Sequence, residues 1–135
     1  MVRLFFIAVA LNFAWEMAQM SLYASTGSWV QNSAECVRAS LGDGGIALAI
    51  YTAGAVLFRR LDWFRQPGGR GYAVMFSVGV ILAAAFEMAA LRSGRWAYSA
   101  SMPRLPLAGR LGLLPMLQMM ILPPIIFKVA SLLER

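Results

Sequence analysis

Three carboxylic acids in this sequence stand where a carboxylate is expensive. Glu16, Asp43 and Glu87 each lie inside an apolar stretch. If those stretches cross a bilayer, an ionised acid near the centre costs about 2.5–3.5 kcal/mol even on the lenient insertion scale. Each is therefore expected to be protonated, paired with a cation, or turned toward a wet interior cavity. An acid kept protonated in a dry site can deliver its proton to an alkene, and aromatic faces can stabilise the carbocation that results. The same acids could instead carry protons or bind a cation on its way across a membrane. Amides share these stretches: Asn12, Gln19 and Gln118. They can orient the acids, or they can act as interhelical glue worth about 0.6–2 kcal/mol each.

Other chemistry is poorly supplied. The chain has no histidine and one cysteine, Cys36. The commonest metal ligand and the usual neutral-pH base are thus missing, and the remaining residues call for neither a metal nor a diffusible cofactor. The net charge of +6 is carried by arginine with a single lysine, Lys128. In a soluble protein that balance would suggest nucleic acid. Here it reads as anchoring at lipid headgroups, with no nucleic-acid partner.

The elements that must position these residues are apolar helices. Only 13% of the 135 residues are charged and 60% are hydrophobic, against roughly 25% charged in a soluble domain. So few charges cannot cover a soluble surface. The chain is read as a single all-α domain, residues 1–135: a polytopic membrane protein built as a four-helix transmembrane bundle. A spanning helix needs about 20 mostly apolar residues. Stretches at about 4–23, 37–58, 72–91 and 111–129 meet that need. Asp43, in Gly42-Asp43-Gly44-Gly45, falls near the start of the second span and could be a cap. The first stretch follows Arg3 as a signal peptide would, but Asn12, Glu16 and Gln19 interrupt it, so a retained helix is expected.

Short loops set the orientation through their lysines and arginines. Arg3, Arg59, Arg60, Arg65, Arg70, Lys128 and Arg135 fall on one side, and Arg38, Arg92, Arg95, Arg104 and Arg110 on the other. The dense cluster at 59–70 marks its side as cytoplasmic, together with both termini. Localisation in a bacterial inner membrane is expected. The connection from Ser25 to Glu35 is polar. Tyr23, Trp29, Trp63, Tyr72, Trp96 and Tyr98 lie near predicted helix ends, as an interfacial aromatic belt should.

Helical rise places the polar residues in one layer. Measured from the cytoplasmic edge, Glu16 lies roughly 18 Å deep, Gln19, Asp43 and Glu87 roughly 22 Å, and Gln118 roughly 14 Å. On the first helix Asn12, Trp15, Glu16, Gln19 and Tyr23 follow i, i+3, i+4, i+7, i+11 spacing and share one face. Such a stripe should turn inward. Met17, Met20, Met116, Met119 and Met120 surround the layer and would suit an apolar ligand of irregular shape. Pro115 and the pair Pro123-Pro124 should kink the fourth helix and open space beside Gln118.

The connection after Glu87 carries Gly94-Arg95-Trp96-Ala97-Tyr98, Met102-Pro103 and Pro106. It is long enough to fold over the outer mouth of the bundle. With Asn12-Phe13-Ala14-Trp15-Glu16-Met17-Ala18-Gln19-Met20 and Gly42-Asp43, these strings resemble a group of small bacterial integral membrane proteins of unassigned function. The order of an intramembrane Glu, a Gly-aromatic segment and a proline-led helix is faintly similar to membrane carotenoid hydratases and lycopene-cyclase-like proteins. That similarity implies Glu87 as proton donor, with Trp96 and Tyr98 in the wall of an apolar substrate site. The chain is much shorter than those proteins and lacks the paired-acid motif typical of the cyclases.

Three functions stay open at this point. In the first, an intramembrane enzyme uses Glu87 as acid and Glu16 as base or second acid. Asp43, Gln19 and Gln118 orient them, Trp15, Trp96, Tyr98 and Asn12 complete the site, and a membrane lipid or other apolar small molecule is the substrate. In the second, a proton- or cation-coupled transporter or channel works as a homo-oligomer. In the third, an accessory subunit buries the polar face against a partner membrane protein.

Overall fold

A computed structural model of the chain describes residues 1–24, 27–106 and 111–133. Ser25, Arg110 and Arg135, which entered the connection and charge readings above, lie outside the described residues. Among the described residues there are four α-helices: α1 (Val2–Gln19), α2 (Trp29–Phe58), α3 (Gly68–Arg92) and α4 (Leu113–Leu133). All four are long and apolar enough to cross a membrane. A 3-10 turn at Met20–Leu22 prolongs α1, and another at Trp63–Arg65 lies between α2 and α3. Each of α1 and α3 packs against both α2 and α4. The helices therefore follow one another around the bundle in chain order, with α1 opposite α3 and α2 opposite α4.

The second helix begins at Trp29, not near Val37. Ser28 caps it in a capping box: its hydroxyl accepts from the Gln31 backbone N–H, while the Gln31 side chain accepts from the Ser28 N–H. Reciprocal capping satisfies two amide donors that would otherwise be orphaned, and the polar residues 31–35 are thereby wound into helix rather than left as a connection. Asp43 consequently sits mid-helix and is no cap. At 30 residues and about 1.5 Å each, α2 is roughly 45 Å long, against a hydrocarbon core of about 30 Å. It is the longest of the four helices.

The fourth helix differs from expectation at Pro115. This residue is third in the helix, where a backbone N–H has no intrahelical partner, so the proline starts α4 without bending it. Pro123 and Pro124 lie in the interior of an unbroken helix. Pro123 cannot donate to the Met119 carbonyl. Gly79 of α3 faces that carbonyl so closely that a Cβ there would lie 3.1 Å from its oxygen.

Burial is inverted in the way a lipid-facing bundle requires. Asn12, Gln19, Ser40, Glu87 and Gln118 are buried, while Phe6, Val56, Leu57, Ile81, Phe86, Ile121 and Ile125 are exposed. The half of the bundle near the termini is filled by Leu4, Ile50, Met75, Leu122, Ile126 and Phe127. Trp63 closes this end. It is only 2% exposed, packs on Phe58 and Phe127, and donates its indole N–H to the Tyr51 carbonyl at 3.1 Å. The aromatic-belt reading fails for Trp63 because Gly54 leaves room for the ring to enter: a Cβ at Gly54 would fall 2.2 Å from it. Trp29 and Tyr72 do remain exposed.

Candidate functional site

The polar residues gather in the half of the bundle away from the termini, and two sub-clusters form. The first is an amide relay. Gln118 of α4 donates through one nitrogen to Asn12 of α1 at 2.8 Å and to Asp43 of α2 at 3.0 Å. Gln19 donates to the Gln118 carbonyl oxygen at 3.2 Å and to Glu16 at 3.1 Å. The Trp15 indole donates to Gln19 at 3.1 Å, and Asn12 donates to the Ala8 carbonyl at 2.8 Å. The stripe on α1 therefore does face inward. Among the described residues, every fully buried side-chain nitrogen and oxygen has a partner, as a buried polar network must if it is to avoid a large desolvation cost.

The second sub-cluster surrounds Glu87 of α3. Tyr23, Trp96 and Tyr98 all donate to Oε1 of this carboxyl. Trp96 does so at 3.3 Å, Tyr23 at 3.4 Å, and Tyr98 makes the closest of the three contacts. The Tyr98 hydroxyl also accepts from the Gly112 backbone N–H at 2.9 Å, which fixes the direction of its proton toward Glu87. Tyr23 rests against both other rings.

Local structure explains how a loop reaches this acid. The end of α3 is a Schellman motif: the Gly94 N–H meets the Leu91 carbonyl, and the Arg95 N–H meets the Ala90 carbonyl at 3.0 Å. Gly94 supplies the left-handed residue the motif needs, with φ 69°. The chain then turns back over the bundle and pairs with the end of α1, Tyr23 bridging to Tyr98. The Ala24 N–H donates to the Ala97 carbonyl at 2.8 Å, and the Ser99 N–H to the Leu22 carbonyl at 2.9 Å. Further on, Leu113 N–H donates to the Pro103 carbonyl at 2.7 Å, which starts α4 against the loop. Gly112 is small by necessity, since a Cβ there would lie 3.0 Å from the Tyr98 ring.

Both clusters border one cavity of about 480 Å3, a volume within the range of small-molecule sites. Glu16, Asp43, Glu87, Gln118 and Trp96 line it. Asn12, Trp15, Gln19 and Tyr98 are not in its wall; they hold the residues that are. The apolar wall is Met20, Ile46, Ala83, Phe86 and Met119, and the mouth carries Asn32, Glu35, Arg38 and Arg95. Residue spacing does not reveal the mouth, because the polar run 32–35 reads as a loop. Tyr23 falls on the α1 stripe and reads as part of the aromatic belt, and nothing local to it indicates Glu87 as its partner.

The electrostatics are unusual. The ion pairs among the described residues are Arg38–Glu35 and Arg60–Asp62, both at the surface. Among the described residues Glu16, Asp43 and Glu87 thus have no cation within salt-bridge reach, and the donors that serve them are neutral. Tyr98, outside the helices, has its phenol held well above the usual tyrosine range, first by burial and then by its hydrogen bond to Glu87. The Tyr98 phenol is therefore a proton-bearing donor at any ordinary pH. Among the described residues no three of His, Cys, Asp and Glu gather as a metal site would require.

The class defined by this fold and site is a four-helix, all-α bundle with apolar outer faces and an acid-lined cavity at one end. Comparison with known protein families, with characterised proteins and with solved structures finds no match.

Proposed function

We propose that the chain is an integral enzyme of the bacterial inner membrane, with both termini cytoplasmic, that moves protons on an apolar lipid or isoprenoid. The observation that carries this reading is the cavity itself: three carboxyls without cationic partners among the described residues share one apolar-walled space. The resemblance to carotenoid hydratases and lycopene-cyclase-like proteins suggests the isoprenoid class.

Glu87 is the acid. All three of its donors fall on Oε1, so in the protonated state the proton is carried by Oε2. Transfer to an alkene carbon breaks that O–H bond and forms a C–H bond. It leaves a carboxylate on Glu87 and a carbocation on the substrate. Tyr23, Trp96 and Tyr98 then donate to an ionised rather than a neutral acceptor. Hydrogen bonds to charged groups are worth about 1.5–3 kcal/mol each, against about 1 for neutral ones, so the triad favours the charged state reached during the reaction. Loss of a proton from the adjacent carbon to the carboxylate of Glu16 or Asp43, whichever of the two is ionised, restores an alkene, shifted in position, and passage of that proton back to Glu87 across the cavity resets the site. The step is redox-neutral and consumes no co-reactant. Gln19 and Gln118 hold the two receiving acids.

A transporter or channel would need a way through. The terminal half of the bundle is packed with Ile50, Met75, Ile126 and Phe127, each almost fully buried, which supports a dead-ended site. The decisive comparison is a lipid and pigment profile of cells expressing wild type, Glu16→Gln and Glu87→Gln. Glutamine keeps an acceptor oxygen for the same donors while removing the acid. A changed lipid in wild type, abolished by both variants, is expected. Unchanged lipids with an acid-dependent cation flux in liposomes would establish transport instead, and isolation in a stable complex with a second membrane protein would favour the subunit reading.

A further inference from the structure

The cavity is graded in charge from mouth to floor, and the gradient specifies more than an apolar guest. Arg38 stands five residues before Asp43 on α2, and Arg95 follows the end of α3, whose last residue is five beyond Glu87. By helical rise the arginines at the mouth lie about 7–8 Å above the acids, or slightly more. The two cations differ. Arg38 is paired with Glu35 at 2.7 Å. Arg95 has no carboxylate within salt-bridge reach among the described residues; its guanidinium lies 5.5 Å from the centre of the Trp96 ring. Trp96 in turn donates to Glu87. A guanidinium stacked on an aromatic face is held in place while its N–H groups stay free to bind, the arrangement suited to planar, bidentate recognition of phosphate. Its backbone is tied by the Schellman bond to Ala90, so the position is built rather than trailing.

We propose that the cavity takes an amphiphile with a phosphate head on a single apolar chain, the phosphate on Arg95 with Arg38 behind it, and the chain against Met20, Ile46, Ala83, Phe86 and Met119. This rests on the enzymatic reading for what happens at the floor, but the head-group assignment is a statement about binding and needs no turnover. The guest enters chain first. The charged head stays at interface level, where an anion keeps part of its hydration, and the first carbons beyond it reach the depth of Glu87. A phosphate monoester of a prenyl alcohol and a lysophosphatidic acid share this chemistry.

The test uses the full-length protein in detergent micelles and native mass spectrometry of the ejected complex. The probes are farnesyl phosphate, farnesol, farnesylamine, oleoyl lysophosphatidic acid and inorganic phosphate. The single cysteine, Cys36, lines the cavity, so its alkylation by N-ethylmaleimide gives a second readout. Farnesyl phosphate is expected to be retained at least tenfold more than farnesol and to slow Cys36 alkylation. Inorganic phosphate at equal concentration is expected not to displace it. Arg95→Gln removes the preference, and Arg95→Lys, which keeps the charge but loses the planar fork, lowers it without abolishing it. Equal retention of lysophosphatidic acid would support the head group with a lysolipid as its source. Equal retention of farnesol, a preference for farnesylamine, displacement by inorganic phosphate, or an unchanged preference in Arg95→Gln would each overturn the assignment. If the preference holds while the lipid profile of cells does not depend on Glu87, the binding site stands and the catalytic reading falls.

Discussion

Gln118 of α4 reaches across the bundle diagonal to Asp43 of α2, its amide nitrogen 3.0 Å from the carboxyl oxygen. These two helices make little contact otherwise, so the polar pair spans the space where a soluble bundle would place large apolar side chains. The same amide nitrogen serves Asn12, and the amide oxygen serves Gln19. One side chain thereby links three helices and sets the position of two of the three acids.

Replacing Gln118 by leucine should therefore cost more than one intramembrane hydrogen bond. Groups left without partners cost about 1–3 kcal/mol each, though polar groups in an unfolded membrane state find other partners. A net loss of about 2–4 kcal/mol is expected, read from unfolding in mixed micelles. A loss below about 1 kcal/mol would show that the relay contributes little to the fold.

Tyr98→Phe removes both the donor to Glu87 and the acceptor for Gly112. Hydrogen exchange at the Gly112 amide should quicken by tenfold or more, with the helices unchanged. Gly112→Ala, which crowds the Tyr98 ring, should do the same. Protection equal to wild type in both variants would mean that the loop is held without the phenol.

The raised pKa of Tyr98 gives a pH dependence of known sign. In the unfolded chain the phenol titrates near about 10, and in the folded protein it titrates higher because burial and Glu87 favour the neutral form. The folded state holds this proton more tightly, so the stabilisation is full below pH about 10 and is lost as pH rises through the folded value. Stability measured against pH should fall more steeply above about 10 in wild type than in Tyr98→Phe. Parallel curves would refute the coupling.

Gly54→Ala should expel Trp63. The added Cβ would overlap the indole ring, and overpacking costs about 1–3 kcal/mol. The expected signs are a lower melting temperature and a red-shifted tryptophan emission, from a ring that has lost its bond to Tyr51. A blue-shifted or unmoved spectrum would contradict the assigned packing.

Gly94→Ala forces a left-handed conformation on a residue with a Cβ, at about 1–2 kcal/mol. The loss should be local. Arg95 and Trp96 lose their fixed place, so proteolysis within the 93–106 segment should accelerate while the helical signal in circular dichroism stays constant.

The amino-acid order by itself determined the four long apolar helices, the common level along the bundle at which their polar residues lie, and the inward face of α1. Hydropathy and helical rise are properties of one segment at a time, and the stripe from Asn12 to Tyr23 needs only the 3.6-residue period. It did not show that α2 starts at Trp29, because a capping box among exposed polar residues looks like a loop until its two bonds close. Nor did it show that Trp63 turns inward, which depends on Gly54 across the interface. Only the tertiary structure decided that Glu16, Asp43 and Glu87 share one cavity and that Tyr23, Trp96 and Tyr98 meet on Glu87. Periodicity tells where a side chain points relative to its own helix axis. It carries no information on which helix stands opposite, or on where a loop crosses the end of the bundle, and those two relations bring residues 23, 87 and 98 to one carboxyl oxygen.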